Sequence, residues 1–514
     1  KGGIDAEDAR RRREASTIQI RKDKKEEGLQ KRRRPAAAAA AAPYGGSSSS
    51  QPPQQARTAT RSAEAPEPGL AETLKSLPED VQLLNSDDRG QQLEACIRLR
   101  KLLSIERNPP IAEIIEAGVV PRLVQFLHCF DDPMLAFEAA WAVTNVASGT
   151  SEHTRVLLDN GAVPVLVQLA LHEDSNLREQ SMWALGNIAG DSPRCRDLVL
   201  SYGVVPRLLP QCESCEQPRA GTSRNATWLL SNLCRGKPPP RWALQPLPSP
   251  SPPSSPLSPP PPSSPHSPPL QTDDEVLTDA CWAISYLSEP PERIAPLVEA
   301  GAILPLVALL SHTMPSVQTP ALRAVGNIAA GTAAQAAALI AGGALGPLQR
   351  LLSTGQTGEL RKEAAWMLSN LTAGDREQVA AVCAAGVVPK LLDMAAHEEY
   401  EIKKEVVYAL CNACCFGSAQ IACGLAQLGI VVRLCDLLEL PDASLLLAAP
   451  VLEALEALLR AGGDGFGINP HARLVDEAGG CEKIEALQMH ENPEVFEKAQ
   501  ALLEAFFGAD EDEE

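Results

Sequence analysis

From about residue 71 onward the chain repeats one cycle of apolar and polar positions. A short apolar-periodic stretch ends at a glycine, a proline opens a second stretch of Val-Pro-x-Leu-Val-x-Leu type, and a longer third stretch follows. Gly118 with Pro121, Gly161 with Pro164, Gly203 with Pro206, Gly301 with Pro305 and Gly386 with Pro389 mark the junctions. Glycine closes one helix and proline opens the next, so the cycle predicts three helices per repeat. A first helix is predicted over Gln91–Leu103, stopped by Asn108-Pro-Pro, and two further repeats over Leu445–Leu459 and Cys481–Phe507, the second as a cap. In each third helix Ala, Leu and Val occupy one face and a polar stripe the other, which predicts that the stripe is exposed.

The third helices carry a phrase that sets the period. Trp141 with Asn145, Trp183 with Asn187, Trp228 with Asn232 and Trp366 with Asn370 stand four apart; Trp282 with Tyr286, Arg323 with Asn327 and Tyr408 with Asn412 hold the same register. Successive copies are 42, 45, 54, 41, 43 and 42 residues apart, the period of armadillo or HEAT repeats. Residues four apart share a helix face, and the residue three before the aromatic joins them: Glu138, Gln180, Asn225, Asp279, Glu363 and Glu405. A single copy fits a core Trp and a capping Asn. Seven in register predict an exposed carboxamide ladder suited to the backbone of an extended peptide. The fold class is all-α, a helical-repeat solenoid.

Composition agrees, since aromatics make up only 4% of 514 residues. Charge changes the picture more. The whole chain carries −19, yet residues 10–34 hold twelve Lys or Arg against four acids. Arg10, Arg11, Arg12, Arg13, Arg21, Lys22, Lys24, Lys25, Lys31, Arg32 and Arg33 form a basic arm on an acidic body. With only Ile18, Ile20 and Leu29 to bury, the arm (1–34) is predicted to be disordered until an acidic partner makes it helical. It lacks the interleaved aromatics of a nucleic-acid arm, so no direct nucleic-acid binding is expected. Residues 35–70 read as a flexible linker, 71–237 and 273–507 as repeats, and 508–514 as an acidic tail.

Residues 238–272 break the period. Sixteen prolines fall within 238–269, a density that excludes helix, and six Ser-Pro steps accompany them. A disordered insert and a translated intron that replaced two helices both fit this composition. The fourteen cysteines lack a secreted framework and read as reduced, mostly buried side chains; Cys212 and Cys215 form a lone CxxC with no second ligand pair, so no metal is expected. Neither a membrane-spanning run nor a signal peptide is recognisable, which places the expected protein in cytosol or nucleus with no membrane contact. No nucleophile elbow, phosphate loop or metal-ligand set is present, so neither enzyme activity nor a cofactor is expected.

Basic arm, linker, Trp-Asn repeats and acidic tail together resemble the importin-α family. The strings that carry the resemblance are Arg10-Arg-Arg-Arg, Ile20-Arg-Lys-Asp-Lys-Lys and Lys31-Arg-Arg, then Trp141-Ala-Val-Thr-Asn-Val-Ala-Ser-Gly-Thr-Ser, Trp183-Ala-Leu-Gly-Asn-Ile-Ala-Gly-Asp and Cys281-Trp-Ala-Ile-Ser-Tyr. The resemblance implies a right-handed armadillo superhelix whose groove binds Lys/Arg-rich nuclear-localisation signals at two sites. The major site would use Trp141, Asn145, Trp183, Asn187, Trp228 and Asn232, with Gly149, Thr154, Gln180 and Asp191 around the deepest lysine pocket. The minor site would use Tyr286, Arg323, Asn327, Glu363, Trp366, Asn370, Glu405, Tyr408 and Asn412. Tyr408 stands where the family has Trp, and Ala336 where the register of Thr154 implies a hydroxyl, so a weaker minor site is expected. The arm resembles the importin-β-binding domain, and Lys31–Arg33 resembles a localisation signal able to fold back into the groove. Further implications are shuttling between cytoplasm and nucleus and recycling by an export receptor with Ran. The competing family is the β-catenin-like scaffold of adhesion or signalling, whose groove is basic where this stripe is acidic and aromatic.

Overall fold

The three-helix cycle appears as the sequence pattern predicts. The structure, a computed structural model, describes residues 74–105, 108–212, 220–240, 273–353, 356–439, 447–463, 469–490 and 492–508. The expectations for the basic arm, the linker, residues 241–272 of the proline-rich stretch and all but the first residue of the acidic tail lie outside the described residues. The described helices fall into two compact units, with the boundary between Tyr286 and Leu287.

In the first unit, α1 (Leu77–Leu84) and α2 (Arg89–Leu103) precede three repeats. These are α3 (Ile111–Glu116), α4 (Val120–Phe126) and α5 (Pro133–Ala147); α6 (Ser151–Asp159), α7 (Ala162–Leu169) and α8 (Ser175–Asp191); and α9 (Pro193–Ser201), α10 (Val205–Cys212) and α11 (Ala220–Cys234). Helix α12 (Asp274–Leu287) ends at the boundary. Glycine in the left-handed region turns each first helix into the second: Gly161, at φ +73°, is the N-cap of α7. Asp132 and Asp174 start α5 and α8 by accepting from the backbone N–H groups of Leu135 and Leu177. The long helices α2, α5, α8 and α11 pack in series, and their Ala, Leu and Val side chains join those of the short helices in one core.

The second unit repeats the plan. It contains α13 (Ile294–Glu299), α14 (Ile303–Leu309) and α15 (Pro315–Ala329); α16 (Ala333–Ala341), α17 (Leu345–Leu351) and α18 (Gly358–Thr372); and α19 (Arg376–Ala384), α20 (Val388–His397) and α21 (Tyr400–Phe416). Then come α22 (Ala419–Gln427), α23 (Ile430–Leu437) and α24 (Ala448–Gly462), followed by α25 (Pro470–Glu477), α26 (Gly480–Ala486) and α27 (Pro493–Phe506). Here α15, α18, α21, α24 and α27 pack in series.

One expectation is corrected. The third helices do not divide into a buried apolar face and an exposed polar one: in α5 every residue from Glu138 to Ala147 is buried. The reason is the stacking itself, because such a helix touches the long helices of both neighbouring repeats as well as the short helices of its own. No described helix is on its own long and apolar enough to cross a membrane. No disulfide joins the described cysteines, more than half of which are buried.

Candidate functional site

The Trp-Asn phrase lies on the long helices, and each carboxamide reaches back to the repeat before it. Asn187 Nδ2 donates to the Thr144 carbonyl (3.1 Å), Asn232 Nδ2 to Gly186 (3.0 Å), Asn370 Nδ2 to Gly326 (3.3 Å) and Asn412 Nδ2 to Ser369 (2.9 Å). In all four the accepting residue immediately precedes the Asn of the previous repeat. Asn145 and Asn327 instead donate to the hydroxyls of Ser104 and Ser288, each at 3.0 Å. The carboxamides are therefore not the exposed ladder expected from the sequence; Asn145 and Asn187 have no solvent exposure at all. A carboxamide has a donor end and an acceptor end, and the donor end here ties repeat to repeat. The Oδ1 atoms of Asn145 and Asn232, both buried, meet no hydrogen-bond donor among the described residues. An unmet buried acceptor costs about 1–3 kcal/mol.

The aromatic rings are set by what stands before the Asn. At Gly186 and Gly326 an added Cβ would collide with the rings of Trp228 and Trp366, so only glycine lets the next indole close on the helix. Trp141, Trp228 and Trp366 are buried, and Trp183 is half-buried. Tyr286 is buried and stacks on Trp282 at 5.8 Å between centroids, and Tyr408 on α21 is half-buried.

The position three before each aromatic is polar and engaged. Glu138 pairs with Arg100 at 2.6 Å, Gln180 Nε2 donates to Thr144 Oγ1 at 2.7 Å, Asn225 Nδ2 donates to the Glu179 carbonyl at 3.2 Å, and Glu363 pairs with Arg323 at 2.9 Å. Asp279 and Glu405 are buried too. Arg100 was missed in the sequence pattern. Its guanidinium carbon lies 4.3 Å from the centroid of the Trp141 ring, a cation-π contact. The period contains the signal: Arg100 stands 41 residues before Trp141, and Ser104 four after Arg100, so this pair is an eighth copy of the phrase. Arg323 occupies the same register in α15 and meets the Glu of the next repeat in the same way.

Of the residues expected around the lysine pocket, Gly149, Thr154 and Asp191 gather where α8 ends beside the start of α6, whereas Gln180 lies near the start of α8, bonded to Thr144. Asp191, last residue of α8, accepts from Ser151 Oγ at 3.0 Å and from the Cys195 thiol at 3.6 Å. Thr154 is buried and donates to the carbonyls of Thr150 and Ala147. Gly149 lies under His153, which a Cβ there would strike. A carboxylate at a helix C-terminus adds to the negative end of the macrodipole, which favours a cation beside it. At the Thr154 register of the second unit, Ala336 is buried and carries no hydroxyl. All residues of the expected major site lie in the first unit. Of the minor-site residues, Tyr286 ends the first unit and the others, Arg323 to Asn412, lie in the second. The arm residues Arg10–Arg33 lie outside the described residues.

Comparison with known proteins agrees with this architecture. The Importin beta binding domain signature matches residues 1–97, which takes in α1 and part of α2. The Armadillo/beta-catenin-like repeat matches 107–148, 150–190, 192–235, 290–330 and 375–415, and an Atypical Arm repeat matches 469–514. Importin subunit alpha-4 of Arabidopsis thaliana is 43% identical over 100% of this chain and 91% of its own length. Importin subunit alpha-1a of Oryza sativa subsp. japonica is 45% identical over 100% and 92%, and Importin subunit alpha-B of Dictyostelium discoideum 40% identical over 100% and 93%. The crystal structure of an engineered protein is similar with a TM-score of 0.71 at 27% identity, covering 84% of this chain and 99% of that one. Repeats, stripe and full-length identity converge: the chain belongs to the importin-α family.

Proposed function

We propose that the protein is a nuclear import adaptor that binds Lys/Arg-rich localisation signals along the Trp-Asn stripe and links them to importin-β through its N-terminal arm. The match of residues 1–97 to the Importin beta binding domain supports the second half. The observation that carries the first is the family: importin alpha subunits are 43–45% identical over the whole chain, and the Trp-Asn register recurs on the long helices of both units. Indole faces take the stems and charge of Lys and Arg at about 0.5–2 kcal/mol per contact, and Asp191 supplies a counter-charge. Trp141 to Asn232 form the major site in this reading, with Gly149, Thr154, Gln180 and Asp191 at its deepest pocket; Arg323 to Asn412, all in the second unit, form a weaker minor site.

Domain boundaries follow the sequence reading: an importin-β-binding arm at 1–34, a linker at 35–70, repeats at 71–237 and 273–507, an insert at 238–272 and an acidic tail. Lys31, Arg32 and Arg33 act as an internal competitor for the major site, so importin-β, by withdrawing them, raises cargo affinity. The adaptor shuttles between cytoplasm and nucleus and is recycled by an export receptor with Ran.

Titrating a single-cluster basic peptide tests this. Asp191→Lys, or Trp183→Ala with Asn187→Ala, abolishes binding with helical content unchanged; retained affinity in a folded variant refutes the groove. Removing residues 1–34 tightens binding about tenfold, roughly 1.4 kcal/mol, and equal affinities at low salt refute the competitor.

A further inference from the structure

Asp191 stands at a station where four of the five other repeats capped in this way carry glycine. The first helix of six repeats begins at the caps Thr150, Ser192, Thr332, Asp375, Ser418 and Asn469, each accepting from the backbone N–H three residues on. The residue before the cap is Gly149, Asp191, Gly331, Gly374, Gly417 or Ile468, and the residue three after it is His153, Cys195, Gln335, Gln378, Ile421 or Ala472, so a side chain stands before the cap only where the third residue is small. These two columns vary together for a steric reason. A Cβ at Gly149 would strike His153 Nδ1, at Gly331 it would strike Gln335 Oε1 and at Gly374 Gln378 Oε1; at Gly417 it would strike the Ala413 carbonyl first, at 2.5 Å, with Ile421 at 3.0 Å. The long third residue turns back over the cap; in two repeats it also accepts from the cap's own N–H to complete a capping box. That fold-back fills the volume a side chain before the cap needs.

In the α8–α9 junction the third residue is Cys195, too short to fold back. Its sulfur accepts from Ser192 Oγ at 3.1 Å, and its thiol donates to Asp191 Oδ2 at 3.6 Å. Ser151 holds the other carboxylate oxygen at 3.0 Å. We propose that Cys195 is the positioning residue of the peptide site: its small side chain leaves the room in which Asp191 turns toward Ser151 at the start of α6. The inference rests on the groove reading above and assigns Cys195 a role in lysine selection, not a contact with the peptide.

The test is a peptide titration on the full chain, with a basic peptide and with the same peptide bearing Ala at the lysine that Asp191 faces. Cys195→Gln restores the long residue of the repeats that carry glycine. It is expected to weaken the lysine peptide about tenfold, to change the affinity for the alanine peptide less than twofold, and to have no further effect on an Asp191→Asn background. Cys195→Ala, which keeps the room, stays within about threefold of the parent. Cys195→Leu is the second large variant should the Gln chain not fold, judged by its melting curve. Unchanged lysine-peptide affinity in a folded large variant overturns the proposal, as does an equal loss on the Asp191→Asn background. A normal affinity in Asp191→Lys removes the groove reading itself, whereas a loss there beside an unaffected Cys195→Gln overturns the Cys195 role alone.

Discussion

Arg100 shows what a single residue carries in this stack. Its guanidinium pairs with Glu138 at 2.6 Å, both side chains are almost fully buried, and its carbon sits over the Trp141 ring at 4.3 Å from the centroid. Removing one partner of a buried pair strands the other charge, at roughly 3–5 kcal/mol. Arg100→Ala is therefore expected to lower the unfolding free energy by about that amount. Adding Glu138→Gln to it recovers part of the loss, because a neutral amide costs less to bury than a carboxylate. Urea midpoints of the three chains check this, and an Arg100→Ala chain as stable as the parent rules the pair out as structural. At this scale the sequence was only half legible. Spacing puts Trp, Asn and the acid on one helix face, but it does not say which end of a carboxamide faces the neighbouring repeat. That depends on the carbonyls of Thr144, Gly186, Gly326 and Ser369, which stacking alone brings within reach.

Helix boundaries were the most legible part, because glycine and proline act locally. Two kinds of glycine must be separated here. Gly161 adopts φ +73° with nothing within 4 Å of where a Cβ would stand, so its need is purely for the left-handed backbone. Gly186 is helical and is needed for the ring of Trp228. Gly161→Ala is expected to cost about 1–2 kcal/mol from backbone strain, with peptide affinity unchanged, read as a melting-temperature shift beside a peptide titration. An unshifted melting curve contradicts the strain. The junction signal is plain in the sequence; the closure of an indole on Gly186 is not, since it depends on a residue 42 positions further on. Helix α25 was passed over for a related reason: it is short, and its Asn469 cap and Pro470 start stand apart from the Gly-Pro spacing of the earlier repeats.

Across the whole molecule the period was readable because every repeat reuses one packing solution, and the same solution buries cysteines as small apolar side chains. Burial pushes the Cys281 and Cys435 thiols up to about 12, and raises Cys96 and Cys414 as well, because a thiolate loses its hydration inside the stack. An unfolded cysteine titrates near 8.5. Between about pH 8.5 and 12 the unfolded chain therefore releases these protons while the folded chain holds them, and stability falls as pH rises through that window. Below about pH 8 both states are protonated, and these groups add no pH dependence. The expected outcome is a urea midpoint that declines from pH 8.5 to 10.5 in the parent and declines less in a chain carrying Cys281→Ala and Cys435→Ala, with the two chains parallel between pH 6 and 8. A thiol-specific disulfide reagent should label those two positions at pH 8 only as fast as the chain opens, since the thiolate, not the thiol, is the nucleophile. Labelling at the rate of an open cysteine would place both side chains outside the core.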